Sequence, residues 1–285
     1  MRIVPARNGF AWIAEGVRLF ARAPFGWIFG VFAYWGIMLM SNFIPVVGPL
    51  VATVMLPAFS VSFMAMARAA DAGQPVLPPL LFAGFSRNLR ALVALGAVYL
   101  GAIFATLAIS ALADGGSLAN WMIRGQAPAT DSEAQSAQAR AALLAILVYT
   151  PVLAAFWFAP VLAAWEGMSA TKALFYSFFA TLRNWRAFFI YGVGIAIAAI
   201  PTVVLFLFAM RVLSSFAAGF AGDPAEQVAA TLLAASPIVF AAASILLASF
   251  YASWRDIFPP GEPSGESEPD TEAEASAGPG GPTST

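Results

Sequence analysis

The sequence predicts an all-α membrane protein. It has six transmembrane helices, arranged as three pseudo-repeated hairpins, each preceded by an amphipathic interfacial helix. Three observations carry this. Sixty per cent of the 285 residues are apolar and only 10% are charged, against about 25% in a soluble domain. The apolar residues gather into six runs, each near the roughly 20 residues that cross a hydrocarbon core. A short motif recurs at the start of successive runs.

The runs are residues 25–47, 49–67, 89–113, 140–165, 187–210 and 224–254. They are continuous rather than alternating, which excludes barrel strands. The last exceeds one span, so part of it must tilt or project. At the amino terminus, Glu15 and Arg18 interrupt any apolar signal segment and no small-x-small cleavage pattern follows, so no cleavable leader is expected. Asp114-Gly115-Gly116 opens the loop 114–139 as a helix stop and turn. Thr130-x-x-Glu133 has the form of a capping box before the fourth span. Asp223, Pro224 and Glu226 form an N-cap, first-turn proline and early acid for the sixth. Trp27, Trp165, Trp185 and Trp254 fall near span ends, where interfacial aromatics belong. Gly26-x-x-x-Gly30 permits a close helix approach to the first span.

Basic residues orient the chain. With the amino terminus in the cytoplasm, eleven basic residues lie on that side: Arg2, Arg7, Arg18, Arg22, Arg68, Arg87, Arg90, Lys172, Arg183, Arg186 and Arg255. Arg124, Arg140 and Arg211 remain on the other. Six spans then place both termini in the cytoplasm. The organisation is a transmembrane domain, 1–258, and an acidic Gly/Pro/Ser/Thr tail, 259–285, whose composition predicts disorder. The tail holds six acids and no base, leaving 14 basic residues to face nine acids in the body, a net of about +5. The tail serves either as a solvating segment or as a docking segment for basic cytoplasmic surfaces.

The repeat is Arg87-Asn88-Leu89-Arg90-Ala91-Leu92 and Arg183-Asn184-Trp185-Arg186-Ala187-Phe188, with a weaker copy at Leu19-Phe20-Ala21-Arg22-Ala23-Pro24-Phe25. Each follows a short amphipathic stretch. Tyr34 and Tyr99 stand twelve residues after Arg22 and Arg87, and Ile195 breaks that pattern in the third copy. The even spans carry proline: Pro57, Pro151 with Pro160, and Pro237. These prolines are either tolerated by packing or kink the helices, as in transporters. Arg87 with Arg90, and Arg183 with Arg186, are three apart and on that spacing share a helix face. They are topology anchors or, alternatively, lipid-headgroup ligands for anionic phospholipid.

The inventory restricts chemistry. Cys and His are both 0, so thiolate nucleophiles, imidazole bases and ordinary zinc sites are absent. No ionisable residue falls deep in a span, where proton relays and ion paths would need one. Glu166 and Arg211 sit at span ends, and Lys172 lies on an interfacial segment rather than in a phosphate loop. An enzyme would need an acid from Asp114, Glu166 or Asp223 facing a common cleft. No catalytic residue, cofactor or metal site is expected, and the dispersed basic residues argue against nucleic acid.

The chain resembles an uncharacterised family of bacterial multi-pass inner-membrane proteins. The residues that carry the resemblance are Val4-Pro5-Ala6-Arg7-x-Gly9-x-x-Trp12, Glu15-Gly16-x-x-Leu19-Phe20 and Phe59-Ser60-Val61-x-Phe63-Met64. Leu80-Leu81-Phe82-Ala83-Gly84-Phe85 and Asp114-Gly115-Gly116 complete them. The likeness covers residues 1–258. It implies the bacterial cytoplasmic (inner) membrane and supplies no active site. More loosely, residues 177–186 look like the pre-membrane helix of the glycerophosphodiesterase membrane domain. That family's catalytic domain has no counterpart here, so no activity follows.

Two functions are expected from this. The first is a non-enzymatic scaffold, assembly or regulatory component in contact with lipid or a membrane-protein partner. The second is a carrier or channel for a neutral or lipid-like solute. A polar mid-membrane cavity would favour the second; a core of Phe, Leu and Ala would count against it.

Overall fold

A computed structural model describes residues 1–125, 132–217 and 223–259. The expected capping box therefore falls partly outside the described residues at Thr130, as does all of the acidic tail beyond Pro259. Ten α-helices and one 3₁₀ helix make up the described chain. They are α1 (Asn8–Arg22), α2 (Pro24–Ser41), α3 (Val47–Asp71), the 3₁₀ helix (Pro78–Ser86), α4 (Leu89–Asp114), α5 (Ser117–Arg124), α6 (Ser132–Phe156), α7 (Ala159–Trp165), α8 (Ala170–Arg183), α9 (Trp185–Ala217) and α10 (Pro224–Ile257). Six helical stretches are long and apolar enough to cross a membrane: α2, α3, α4, α6 with α7, α9 and α10.

Local chemistry explains where the boundaries moved. Residues 42–46 read as part of the first span but form a turn. The side chains of Ser41 and Asn42 both donate to the Met38 carbonyl, at 2.6 and 2.8 Å, and close α2. The turn forces Val46 to φ +65°, a strained value for a β-branched residue. Pro24 terminates α1 by keeping Ala23 out of the helical region, at φ −150° and ψ 58°, and then opens α2. Asp114 accepts from the backbone N–H of Gly116 and Leu118, at 2.9 and 2.7 Å, and so starts α5, a helix inside the loop read as irregular. α6 begins eight residues before the expected start of its span. Asp223 accepts from Ala225 N–H at 2.9 Å and opens α10, as its spacing predicts. At about 1.5 Å per residue, α9 and α10 run roughly 50 Å, well beyond a hydrocarbon core of about 30 Å.

The three-unit repeat is real in space. Each pre-span segment packs on the second span of the unit before it, cyclically: the 3₁₀ helix on α3, α8 on α6 and α7, and α1 on α10. When Arg22, Arg87 and Arg183 are aligned, the positions six and three residues earlier are buried in every copy. They are Gly16 with Leu19, Leu81 with Gly84, and Ser177 with Ala180. The middle segment is wound as a 3₁₀ helix after two successive prolines, Pro78 and Pro79. These segments thus turn one stripe to protein rather than only to headgroups. α8 also keeps an exposed apolar face of Phe175, Phe179 and Leu182.

Close approach to the spans is made by small residues. A Cβ at Gly16 would stand 2.5 Å from the Ile245 carbonyl oxygen, and one at Gly84 would stand 1.9 Å from that of Ala58. Gly26 abuts the backbone of Val76, in the loop before the 3₁₀ helix, and Gly30 the Met66 side chain, so the glycine pair in the first span admits a loop and a side chain rather than a second helix backbone. In the third copy a hydroxyl takes this role. Ser177 accepts from Phe158 N–H at 2.8 Å and donates to the Ala154 carbonyl at 3.0 Å. It stands where the i→i−4 bond of a continuous helix would run, and Pro160 follows. The fourth span is accordingly broken between α6 and α7. The other even-span prolines, Pro57, Pro151 and Pro237, lie inside continuous helices, and the fifth span carries one as well, Pro201.

Both ends of the described chain lie on one face, here termed proximal, where Arg2 N–H donates to the Ile257 carbonyl at 2.8 Å. The core is concentrated in that half: residues 58–70 of α3, all but the last residue of α7, and the last turns of α10 hold much of it. Two of the expected interfacial tryptophans belong to it. Trp27 is 0% exposed and donates to the Leu19 carbonyl at 3.2 Å, and Trp254 is buried; Trp185, 57% exposed, keeps the interfacial position. The two indoles are at span ends as expected, but Trp27 is held under α1 through Leu19, and Trp254 is packed between Trp165 and Tyr251.

Candidate functional site

The proximal face carries a cluster of charges drawn from three distant stretches. Glu15, Arg18 and Arg22 stand on one face of α1 by their i, i+3, i+7 spacing. Asp71 is the last residue of α3, and Arg255 lies in the last turn of α10. Arg18 Nε donates to Glu15 Oε2 at 2.7 Å, and Arg255 Nη2 to Glu15 Oε1 at 2.9 Å. Asp71 is paired with Arg255, with Arg18 at 3.4 Å and with Arg22 at 3.6 Å, and accepts from the Tyr251 hydroxyl at 3.3 Å. All four carboxylate oxygens therefore have a donor or cation beside them. Arg22 also donates to the Ala70 and Asp71 carbonyls, at 3.0 and 2.8 Å, which caps the negative end of α3. Alongside, Asp256 accepts from Asn8 at 2.7 Å and from the Trp12 indole at 2.9 Å.

The acids are half-shielded, with side chains 18% and 21% exposed for Glu15 and Asp71. Arg18 chiefly, with Arg255, holds the Glu15 carboxyl below the usual glutamate range, while desolvation opposes this. The arrangement is a clasp joining α1, α3 and α10, with its carboxylates saturated. In the sequence Arg18, Arg22 and Arg255 stand as topology markers, Arg18 also as a break in any signal segment and Arg22 as part of the repeat, while Asp71 and Asp256 belong to no motif. The i, i+3, i+7 pattern on α1 and an acid closing the second span were the available signals.

The four arginines singled out from the sequence sit elsewhere on the same face. Arg87, Arg90, Arg183 and Arg186 are all exposed, and none has an acid within ion-pair distance among the described residues. Arg186 lies over its neighbour Trp185, 5.6 Å from the ring centroid. The members of each pair do not share a helix. Arg87 is an extended residue after the 3₁₀ helix and Arg90 belongs to α4; Arg183 ends α8 and Arg186 is the second residue of α9. The reason is the asparagine between them. Asn88, at φ +44°, donates to the Ala163 and Met168 carbonyls at 2.8 and 3.3 Å. Asn184 is buried, accepts from Val4 N–H at 2.8 Å and donates to the Arg2 and Ala180 carbonyls at 3.2 and 2.9 Å. The asparagines of the repeat are structural, and the arginines are left free.

A second feature lies deeper. A cleft of about 420 Å³ opens between α2, α3, α4, α6, α7 and α10. Counted at 1.5 Å per residue from the proximal helix ends, Tyr34, Ser60, Tyr99 and Leu247 lie about 15–17 Å down, near mid-membrane. Its wall is mainly Phe, Leu, Trp and Pro, including Pro57 and Pro160. Tyr34 and Tyr99, equivalent positions of the repeat, both face it. The Tyr99 hydroxyl is hydrogen-bonded to that of Tyr149. Glu166 is exposed on the proximal face, Asp114 and Asp223 cap helices, and none of these three acids lines the cleft. The cavity is apolar, not the continuous polar path a hydrophilic solute would need.

Among known proteins, this chain is similar to a probable inner membrane protein of Burkholderia thailandensis. The two are 33% identical over 274 residues, covering 94% of this chain and 97% of the relative. No family model matches the chain. No solved structure matches it.

Proposed function

The chain belongs to the family of this Burkholderia inner membrane protein, and from that premise we propose that it is a non-enzymatic scaffold, assembly or regulatory component of the bacterial inner membrane. In this reading the proximal face is cytoplasmic, with both termini on that side, because the exposed arginines gather there. One observation carries the reading. On that face Glu15 and Asp71 are occupied by Arg18, Arg22 and Arg255, while Arg87, Arg90, Arg183 and Arg186 stand exposed without acid partners among the described residues. Free guanidinium groups at the headgroup level attract anionic phospholipid, at roughly 1 kcal/mol per basic residue, and leave a docking surface for a membrane-protein partner. From the glycerophosphodiesterase resemblance we keep only the placement of a pre-membrane helix, α8, before a span.

The test is lipid retention. Purified from mixed membranes, the parent chain should keep phosphatidylglycerol or cardiolipin in native mass spectra, and the variant with all four arginines changed to Gln should lose most of it. Equal retention by the two would remove the headgroup role.

A second reading, a carrier or channel, does not meet the polar-cavity condition set from the sequence, and the mid-membrane cleft supports only its lipid-like case. Its apolar wall suits a solute already soluble in hydrocarbon.

A further inference from the structure

We propose that the cleft is a binding site for a neutral, lipid-like molecule carrying an acceptor oxygen on an apolar body, an ester carbonyl being the simplest case, read by the indole N–H of Trp157. This deepens the second reading, from which it takes the cleft, and asserts binding whether or not the ligand is moved across.

Three observations converge. First, Trp157 Nε1–H is buried and meets no acceptor in the described chain. A buried polar group without a partner costs about 1–3 kcal/mol, and the hydrocarbon around a membrane protein offers no acceptor to relieve it. Trp157 sits where the fourth span is broken, between α6 and α7, held by the rings of Phe188 at 5.3 Å and Phe250 at 4.7 Å. The other such N–H, on Trp254, is packed among the rings of Trp165 and Tyr251, at 4.8 and 5.9 Å. Trp157, by contrast, lines the cleft.

Second, polar groups converge there. A void of about 10 Å³, bordered by Ser60 and Trp157, adjoins the cleft, with Ser60, Phe63, Trp157, Leu247 and Phe250 common to both. An acceptor oxygen reaching this end can meet the indole N–H and the Ser60 hydroxyl together. Tyr34 and Tyr99 also line the cleft.

Third, the dimensions and surroundings fit. About 420 Å³ lies within the roughly 300–1,000 Å³ of small-molecule sites, which combine an apolar lining with a few placed polar groups. Trp35 and Leu153, at the rim, are exposed within their spans, so the cleft opens towards the hydrocarbon from which such a ligand would come. No charged side chain lines it, which selects a neutral molecule.

The experiment uses the full chain in detergent, a diazirine-bearing fatty-acid methyl ester as photoprobe, and methyl dodecanoate and dodecane as competitors. Adducts should map to the α3 and α10 segments holding Phe63, Leu247 and Phe250. The ester should compete about 3–10-fold better than the alkane, the worth of one hydrogen bond. Trp157→Phe, which keeps an aromatic ring of smaller size and removes the donor, should bring the ester to the level of the alkane while adducts persist. Ser60→Ala should shift the preference in the same direction, and serves if Trp157→Phe does not fold. Adducts confined to outward residues such as Phe189 and Val204, or equal competition by ester and alkane in the parent chain, would overturn the site. Labelling of the cleft without exchange of the same probe between liposomes would end the carrier reading and leave the binding site standing.

Discussion

A single methyl group added at Gly16 should destabilise the protein, while the same methyl at Gly36 should not. At Gly16 the new Cβ would lie 2.5 Å from the Ile245 carbonyl oxygen and 2.9 Å from Ser249 Cβ. Ordinary contact begins near 3.4 Å, so α1 and α10 must part by close to an ångström. Both partners resist: one is backbone, and the other is Ser249, whose hydroxyl is bonded to Tyr191 at 2.5 Å. Overpacking of this kind costs about 1–3 kcal/mol. With backbone on one side and a bonded serine on the other, the upper part of that range applies, about 2–3 kcal/mol, and the roughly 1 kcal/mol returned by replacing glycine with alanine in a helix leaves a net cost of about 1–2 kcal/mol. At roughly 2–4 °C per kcal/mol for a chain of this size, Gly16→Ala should melt about 2–8 °C below the parent. At Gly36 nothing lies within 4 Å, so only the propensity gain remains and Gly36→Ala should melt at or above the parent. The assay is thermal unfolding of the detergent-purified protein by circular dichroism. If Gly16→Ala melts with the parent, α1 does not lie against α10 at this distance, and the cyclic packing of the three units fails with it.

Two further outcomes test the proximal face. Because the Glu15 carboxyl is held below its usual range by Arg18 and Arg255, its contribution is present above the ordinary glutamate value of 4.5 and is lost as pH falls through the depressed folded value. The melting temperature of the parent should therefore drop on acidification below that value by more than that of Glu15→Gln; parallel pH profiles would remove the clasp from the stability of the fold. The orientation is open to labelling, since the chain contains no cysteine. In intact cells a membrane-impermeant maleimide should label Asn120→Cys, near the distal end of the fold, and spare Gln74→Cys, in the proximal loop before the 3₁₀ helix, and the reverse pattern would invert the topology.

Much of the architecture was legible in the linear chain, because a hydrocarbon core imposes a length and a polarity that composition alone reveals. The six spans, the acid that opens α10 and the stop at Asp114-Gly115-Gly116 follow from local rules. The three-unit repeat was visible through the Arg-Asn pairs, and even the register of Tyr34 and Tyr99 was there to be counted before their shared cleft was known. The role of the pairs was not. From spacing, Arg87 and Arg90 read as neighbours on one helix, but the positive φ of Asn88 and the carbonyls it holds turn the chain between them.

What only tertiary structure decided has one physical source: contacts between groups far apart in sequence leave no local pattern. Glu15 meets Arg255 across 240 residues, and Asp71 meets it across 184. Ser177 breaks a helix that belongs to another unit. Trp27 and Trp254 stand where interfacial anchors belong and lie in the core, Trp27 under α1 and Trp254 between Trp165 and Tyr251. The sequence by itself determined that this chain inhabits a membrane and how often it crosses, since partitioning depends on residue composition over a length. Which arginines are neutralised, which indole is left without an acceptor and where a cleft opens depend on how the three hairpins close on one another.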